Sequence, residues 1–250
     1  WIETPSNPLL RITDIAAVTK LAQTAGALVA VDNTFLSPLW QRPIEFGADL
    51  VVHSTTKYIN GHSDVVGGAV IARDAALHEE LRWWANCLGV TGCAFDSFLT
   101  LRGLRSLHVR MRQHAENAVA IAGSLVGHPA VSHLYYPGLP DHPGHALAAR
   151  QQRAFGAMIS VELAGGKPAV RRFLDGLSCF SLAESLGGVE SLVAHPDTMT
   201  HAGMDPAARL AAGITPGLLR LSIGIEAVED LIADLAAELN RAAGRIGAVG

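Results

Sequence analysis

Apolar positions in the first part of this chain come in short uninterrupted runs, and the runs stop on polar residues. Ala27-Leu28-Val29-Ala30-Val31 ends on Asp32, and Leu50-Val51-Val52 leads into His53-Ser54-Thr55-Thr56-Lys57. Runs of this kind predict parallel strands covered on both faces. Before them, Trp1-Ile2 reads as strand, and the two prolines of Glu3-Thr4-Pro5-Ser6-Asn7-Pro8 predict a loop at its end. A helix is predicted from Thr13 or Asp14 as cap, through Ile15, Val18, Ala22 and Ala25, to Gly26 as its stop. A connection from Pro38 to Gly47 precedes the second run. A turn-rich loop over 61–68 follows it, and Gly68-Ala69-Val70-Ile71-Ala72 reads as a further strand. Strand, helix, strand, crossover, strand is the doubly wound α/β pattern.

The period then changes. From about 95 to 125 apolar residues recur three or four apart (Leu104, Leu107, Met111, Ala115, Ala118, Ala122, Leu125), which predicts one long helix. Arg102, Arg105, Arg110 and Arg112 lie around that stripe, and most of them read as a solvated or subunit-facing surface. Such a helix joining two zones of composition places a domain junction near its start, giving domains 1–105 and 106–250. Residues 156–162 alternate like a half-exposed antiparallel strand. Residues 218–223 read as strand, and 226–246 as a final amphipathic helix with Val228, Leu231, Ile232, Leu235 and Leu239 on one face. The second half is thus a smaller α+β domain.

With 49% hydrophobic and 17% charged residues in 250, the chain has the balance of a globular protein able to bury a sizeable core. Its net charge of −4 gives no footing for nucleic acid or an anionic membrane. No apolar run approaches the roughly 20 residues of a membrane helix, and the first residues lack the basic start and apolar core of a secretory signal. Cys87, Cys93 and Cys179 have neither zinc nor CxxC spacing, so a reducing cytoplasm is expected.

Ligands of open parallel sheets bind beyond the carboxyl ends of the strands. The two apolar runs therefore aim a carboxylate (Asp32), an amine (Lys57) and the hydroxyls between them at one crevice. An aldehyde cofactor needs that set: an amine to condense with, a carboxylate for a ring nitrogen, hydroxyls for a phosphate. The competing reading is a surface lysine after a strand and an aspartate capping the next helix. Arg220 interrupts an apolar strand, and a buried guanidinium calls for a carboxylate. That carboxylate is a structural Asp or Glu or, alternatively, one belonging to an amino-acid substrate. Glu184-Ser185 precede Gly187-Gly188, a polar pair beside flexible glycines or a plain loop. Trp83-Trp84 read as core or interface packing, with stacking on a cofactor ring as the alternative. His53, His62 and Asp64, and likewise His195, Asp197 and His201, lack a recognised metal-ligand spacing. No GxGxxG, P-loop or GxSxG occurs.

Taken in order, Glu3-Thr4-Pro5-Ser6-Asn7-Pro8, Val31-Asp32-Asn33-Thr34-Phe35, Ser54-Thr55-Thr56-Lys57-Tyr58-Ile59-Asn60-Gly61-His62-Ser63-Asp64, Leu182-Ala183-Glu184-Ser185-Leu186-Gly187-Gly188, Met199-Thr200-His201-Ala202 and Arg220-Leu221-Ser222-Ile223-Gly224 resemble the Cys/Met-metabolism family of pyridoxal-phosphate enzymes. The resemblance spans essentially the whole chain. It implies the type I fold of aspartate aminotransferase-like transferases, here as part of a large domain plus the small one. It also implies pyridoxal 5'-phosphate as cofactor. Lys57 would hold the cofactor as an imine, Asp32 would pair with its ring nitrogen, and Ser54 and Thr56 would bind its phosphate. Asn7 would lie near its phenolic oxygen and the substrate. Arg220 would clamp the substrate carboxylate, Ser185 would position Lys57 and that carboxylate, and Glu184 would face the distal end of the substrate. Thr200 is also expected in the substrate site.

The implied reaction is a γ-replacement in transsulfuration, joining an activated homoserine (succinyl, acetyl or phospho) to cysteine as cystathionine. A γ-lyase on the same residues is the alternative, and a non-catalytic fragment a second one. The family also implies cytoplasmic homotetramers built from dimers with shared sites. Its members carry a segment ahead of the position of Trp1 that contributes to the site, so residues 1–250 alone are expected to be poorly soluble and inactive.

Overall fold

The computed structural model describes residues 1–244. Two sheets divide the strands. The first comprises β1 (Ile2–Glu3), β2 (Ala30–Asp32), β3 (Leu50–Ser54) and β4 (Gly68–Ala72), in that spatial order. β1, β2 and β3 run parallel and β4 returns antiparallel to β3. The register places Glu3 beside Asp32 and Asp32 beside Val52, so the carboxyl ends of three strands open on one side. Between β1 and β2 lies α1 (Ile15–Thr24), capped by Asp14 accepting from the Ala17 amide at 2.9 Å and stopped at Gly26 in the left-handed region. It closes a small core of Ile2, Ile15, Val29, Val31 and Ala48. The connection to β3 is not structureless: it holds the short helix α2 (Ser37–Trp40) and a 3₁₀ turn over Pro43–Phe46.

α3 (Ala75–Leu88), unforeseen from the apolar pattern, follows β4, and α4 (Ala94–Leu125) then runs on for 32 residues. α4 contains the position 105/106 and leads to the second sheet. That sheet comprises β5 (Val131–Tyr135), β6 (Met158–Leu163), β7 (Ser181–Leu182), β8 (Leu192–Ala194) and β9 (Leu218–Ser222), in the order β5-β6-β9-β8-β7. All pairs are antiparallel except β7 with β8. Around it lie α5 (His145–Gln151), α6 (Gly166–Leu174), α7 (Pro206–Ala211) and α8 (Val228–Ala242). α8 buries Leu231, Leu235 and Leu239 as its periodicity requires. The end of the helix expected over 226–246 lies partly outside the described residues.

The main core gathers α4 (Leu107, Met111, Ala118, Ala122, Leu125) with β6, β9 and α8, and draws in Leu10, Phe35, Leu36, Trp40 and Tyr58 from the first part of the chain. Polar links join the two parts as well. Ser160 Oγ donates to the Pro8 carbonyl at 2.6 Å, and the Arg153 amide donates to the Trp40 carbonyl at 2.8 Å.

Three expectations are corrected. β6 is not half-exposed: five of its six residues are buried, because α4 and α6 pack on it. β2 and β3 instead alternate buried with half-buried positions. Trp83 and Trp84 are no core residues; they meet edge to face on α3, 58% and 48% exposed. Among the described residues no helix is long and apolar enough to cross a membrane, and no group of three or more His, Cys, Asp or Glu side chains is arranged to hold a metal.

Candidate active site

Beyond the carboxyl ends of β1, β2 and β3 lies a cavity of about 210 Å³, walled by Glu3, Pro5, Asn7, Asp32, Thr34, Phe35, Ser54, Lys57 and Leu186. A larger cleft of about 350 Å³ beside His133 and His142 shares no residue with it. The strand termini explain the first. A side chain at the last residue of a parallel strand clears the covered faces without breaking the ladder, so polar groups collect there at little cost.

Lys57 sits in a wide helical turn over Thr55–Ile59 that follows β3, closed by the Asn60 amide donating to the Thr55 carbonyl at 3.1 Å. Its Nζ donates to Ser185 Oγ at 2.9 Å. Burial, followed by the Arg220 cation, pushes the Lys57 ammonium below its usual pKa. Asp32 accepts from the Thr34 amide at 3.0 Å, and Thr34 Oγ1 accepts from the Ser54 amide at 2.9 Å, so one hydroxyl ties β2's end to β3's.

Arg220, mid-strand in β9 and 2% exposed, reaches the same place from the second sheet. It donates from Nη1 to Asn7 Oδ1 at 3.0 Å, and from Nη2 to the carbonyls of Glu184 at 2.6 Å and Ser185 at 3.1 Å. These partners are all neutral oxygens. Among the described residues no Asp or Glu side chain bonds it, against the first of the two readings of its partner, and its buried Nε has no partner. Burial lowers the guanidinium pKa to about 10, offset in part by Tyr58, Glu184 and Glu3. A buried cation held by carbonyls alone, with a donor unused, is suited to an incoming anion.

The loop from Ala183 to Glu190 links the two halves of the site. Gly187 lies in the left-handed region, and a Cβ there would come within 2.8 Å of the Tyr58 amide, so the loop lies directly on the lysine's turn. The Gly187 amide donates to Ser222 Oγ at 2.9 Å, fixing the loop to β9.

Lys57, Asp32, Ser54 and Asn7 therefore line one cavity, with Arg220 and Ser185 bonded to its walls. Thr56 does not line it; its hydroxyl accepts from the Gly67 amide at 3.0 Å. Glu184 has an exposed side chain and contributes its carbonyl. Thr200 pairs its hydroxyl with His201 Nδ1 at 2.8 Å, apart from the cavity walls. Glu3 was not singled out as a site residue, yet it is a second carboxylate in the cavity. Its Oε1 accepts from the Asn7 amide at 3.0 Å. Burial first, then neighbouring Asp32, raises its pKa, opposed by the Asn7 amide and Arg220. The pattern that exposed Asp32, an apolar strand ending on a carboxylate, also marks Ile2-Glu3.

Residues 1–240 match the family described as Cys/Met metabolism PLP-dependent enzyme. A cystathionine γ-synthase of Escherichia coli K12 is 62% identical over 234 residues, which is 94% of this chain and 61% of that protein. The crystal structure of cystathionine γ-synthase from Xanthomonas oryzae pv. oryzae, in complex with aminoacrylate and cysteine, superposes with a TM-score of 0.96 at 68% identity. It covers 98% of this chain and 63% of that one. A cystathionine γ-lyase from Lactobacillus plantarum, complexed with L-serine, gives 0.93 at 46% identity, covering 96% and 63%. The chain thus spans about three fifths of the length of these relatives, and its fold is the type I fold that the sequence motifs implied.

Proposed function

Because the chain belongs to the Cys/Met metabolism PLP-dependent enzyme family, pyridoxal phosphate is its cofactor, and we propose that it serves cystathionine γ-synthesis. In that reaction cysteine replaces the γ-leaving group of an activated homoserine. The observation that carries the reading is an amine and a carboxylate in one cavity, with a buried guanidinium bonded to its wall that has no carboxylate partner and a free Nε. The donor set in the cavity fits the cofactor: Lys57 for its aldehyde, Asp32 for its ring nitrogen, Ser54 for its phosphate; Thr56 would join Ser54 only by releasing its bond to Gly67. Once bound, the cofactor supplies an electron sink for charge developing at a substrate carbon.

The remaining work falls to side chains. Asp32 holds the ring nitrogen's proton in place, since an adjacent anion favours the cation. Arg220, held by Asn7 and the 184–185 carbonyls, would receive the substrate carboxylate at its unpartnered Nε. Lys57, whose lowered pKa favours the free amine, would take the α-proton and then help move a β-proton, so that the γ-leaving group departs with its bonding electrons before the cysteine thiolate adds. Ser185 Oγ aims that amine. Glu184 would face the distal part of the substrate and bear on which leaving group and thiol are accepted, and Thr200 would belong to the substrate site.

Identities of 62% and 68% to two synthases, against 46–50% to three γ-lyases and 50% to a β-lyase, favour synthesis over cleavage. A γ-lyase would use the same residues, so cystathionine formation and cystathionine cleavage are assayed side by side. A homotetramer of dimers with shared sites belongs to the same proposal and is read by sedimentation. The decisive test is borohydride reduction of the cofactor-loaded full-length protein with peptide mapping. The adduct is expected on Lys57; an adduct on any other lysine overturns the assignment.

A further inference from the structure

Helix α4 carries a polar stripe that the chemistry above leaves unused. Arg110, His114 and Asn117 are 4%, 0% and 1% exposed, and at i, i+4 and i+7 they share one helix face. Apolar side chains would pack there more cheaply, because burying a cation and two polar groups costs desolvation unless each is bonded. Each makes a hydrogen bond to a particular place, although His114 Nε2 is left without a partner. Arg110 donates from Nη1 to the Tyr58 carbonyl at 2.8 Å and from Nη2 to the Ile59 carbonyl at 3.3 Å, the two residues after Lys57. Its Nη2 also reaches the Gly103 carbonyl at 2.8 Å, and its Nε reaches Ser106 Oγ at 3.1 Å. At Gly103 the helix meets the same segment backbone to backbone: a Cβ there would collide with the Asn60 carbonyl.

One turn on, His114 donates from Nδ1 to the Ile223 carbonyl at 2.6 Å and sets its ring edge-on to Tyr58, centroids 5.2 Å apart. Asn117 donates to the carbonyls of Gly224 at 3.1 Å and Glu226 at 2.9 Å. One end of the stripe therefore grips the backbone of the two residues after Lys57, and the other grips the chain leaving β9, three to six residues after Arg220. Seven residues of helix separate the two ends, roughly 10 Å of rigid rod.

We propose that Arg110, His114 and Asn117 are positioning residues that set the spacing between the Lys57 amine and the Arg220 guanidinium. The proposal rests on the reading of those two groups as the cofactor amine and the substrate-carboxylate clamp. The α-carbon of an amino acid carries both the proton that Lys57 takes and the carboxylate that Arg220 holds, so these two groups must stand at one separation. A misplacement of about 1 Å can cost a hundredfold in rate. Lys57 lies in the turn that follows the first sheet and Arg220 in the second sheet, and α4 is one element bonded to the chain after both.

The test uses the full-length, cofactor-loaded protein with two readouts besides activity. The first is the pH midpoint of the bound cofactor's visible band, which reports on the Lys57 end. The second is the inhibition constant of propanoate, a carboxylate without an amine, which reports on the Arg220 end. Arg110→Lys is expected to raise the midpoint, because water entering the loosened turn relieves the desolvation of Lys57, and to leave propanoate inhibition unchanged. Asn117→Ala is expected to do the reverse, weakening propanoate about fivefold, the factor carried by one hydrogen bond, at an unchanged midpoint. Both should lower kcat/KM for the complete substrate. If Arg110→Lys does not fold, Ser106→Ala removes only the hydroxyl that orients Arg110 and should move the midpoint in the same direction. Variants that lose thermal stability yet keep both readouts at wild-type values would show the stripe to be packing only. A wild-type protein with no adduct on Lys57 would instead overturn the functional reading, and this one with it.

Discussion

In the first sheet the polar groups stand where strands stop; in the second, one stands in the middle of a strand. Glu3, Asp32 and Ser54 occupy the last positions of β1, β2 and β3, half-buried or exposed, and each keeps access to the cavity without disturbing a ladder. Arg220 is the third of five consecutive buried residues in β9, with Ser160 and Ala194 as its ladder partners. Strand ends offer positions for reactive groups at small cost, as open sheets do in general. A guanidinium inside a strand is a different undertaking. It needs carbonyls turned inward to meet it, here from the loop carrying Glu184 and Ser185, and an amide oxygen from Asn7. The first sheet can thus lose a site group and keep its fold, while the second sheet's site group is bound up with the packing around it.

Arg220→Ala is the severest test of that difference. It removes a buried cation whose partners are then left unpaired, and it removes the clamp. Loss of the substrate carboxylate's partner is expected to cost of the order of 2–5 kcal/mol in binding, seen as a raised KM for every amino-acid substrate, together with a lower unfolding midpoint. A variant as stable as wild type would contradict the account of β9.

Asp32→Asn is the counterpart in the first sheet. It is isosteric, lies at a strand end, and can still accept from the Thr34 amide. It should fold and take up cofactor normally, yet lose roughly a hundred- to a thousandfold in α-proton exchange, the range of a removed electrostatic stabiliser. Normal exchange in a fully loaded variant would reject the pairing of Asp32 with the ring nitrogen.

What could be read from sequence follows the same division. Strand ends were legible: apolar runs stopping on Asp32 and Ser54 gave the crevice, and α1 with its Asp14 cap and Gly26 stop appears as the pattern required. Ile2-Glu3 carried the same signal in a shorter run, too short to stand out. The second sheet was harder. Alternation over 156–162 suggested a solvated face, but Ser160 points at the Pro8 carbonyl, a partner 152 residues away. Arg110 looked like one more arginine on a helix surface, because nothing local shows that the lysine's turn packs on that face. Long-range burial of polar groups is a property of the partner as much as of the residue. That is why Arg220 stood out, with apolar neighbours on both sides, and Arg110 did not.

The two regions also each bury a neutral histidine, and their comparison is the mildest test. His53, 2% exposed on β3, is held down to a pKa of about 4 by burial, opposed by Asp32. His114, fully buried on α4, is likewise lowered to about 4 by burial and by Arg110, opposed by its bond to the Ile223 carbonyl and by Glu190. Both folded-state values lie below the unfolded value near 6.5. Between pH 6.5 and 4 the unfolded chain therefore binds protons that the folded chain refuses, and stability falls as pH falls through that window. Each site contributes a loss of at most a few kcal/mol by the time pH 4 is reached. Denaturant unfolding of the full-length protein at pH 7.5 and pH 5 reads the slope, and His53→Gln and His114→Gln should each flatten it. The flattening should be cleaner at His53, whose ring makes no hydrogen bond to the rest of the fold through Nδ1. His114→Gln also removes the donor to Ile223, and so should lower stability at pH 7.5 as well. Equal behaviour of the two variants at pH 7.5 would mean that the α4 histidine does not hold the end of β9, and the contrast between the two regions would fail at that point.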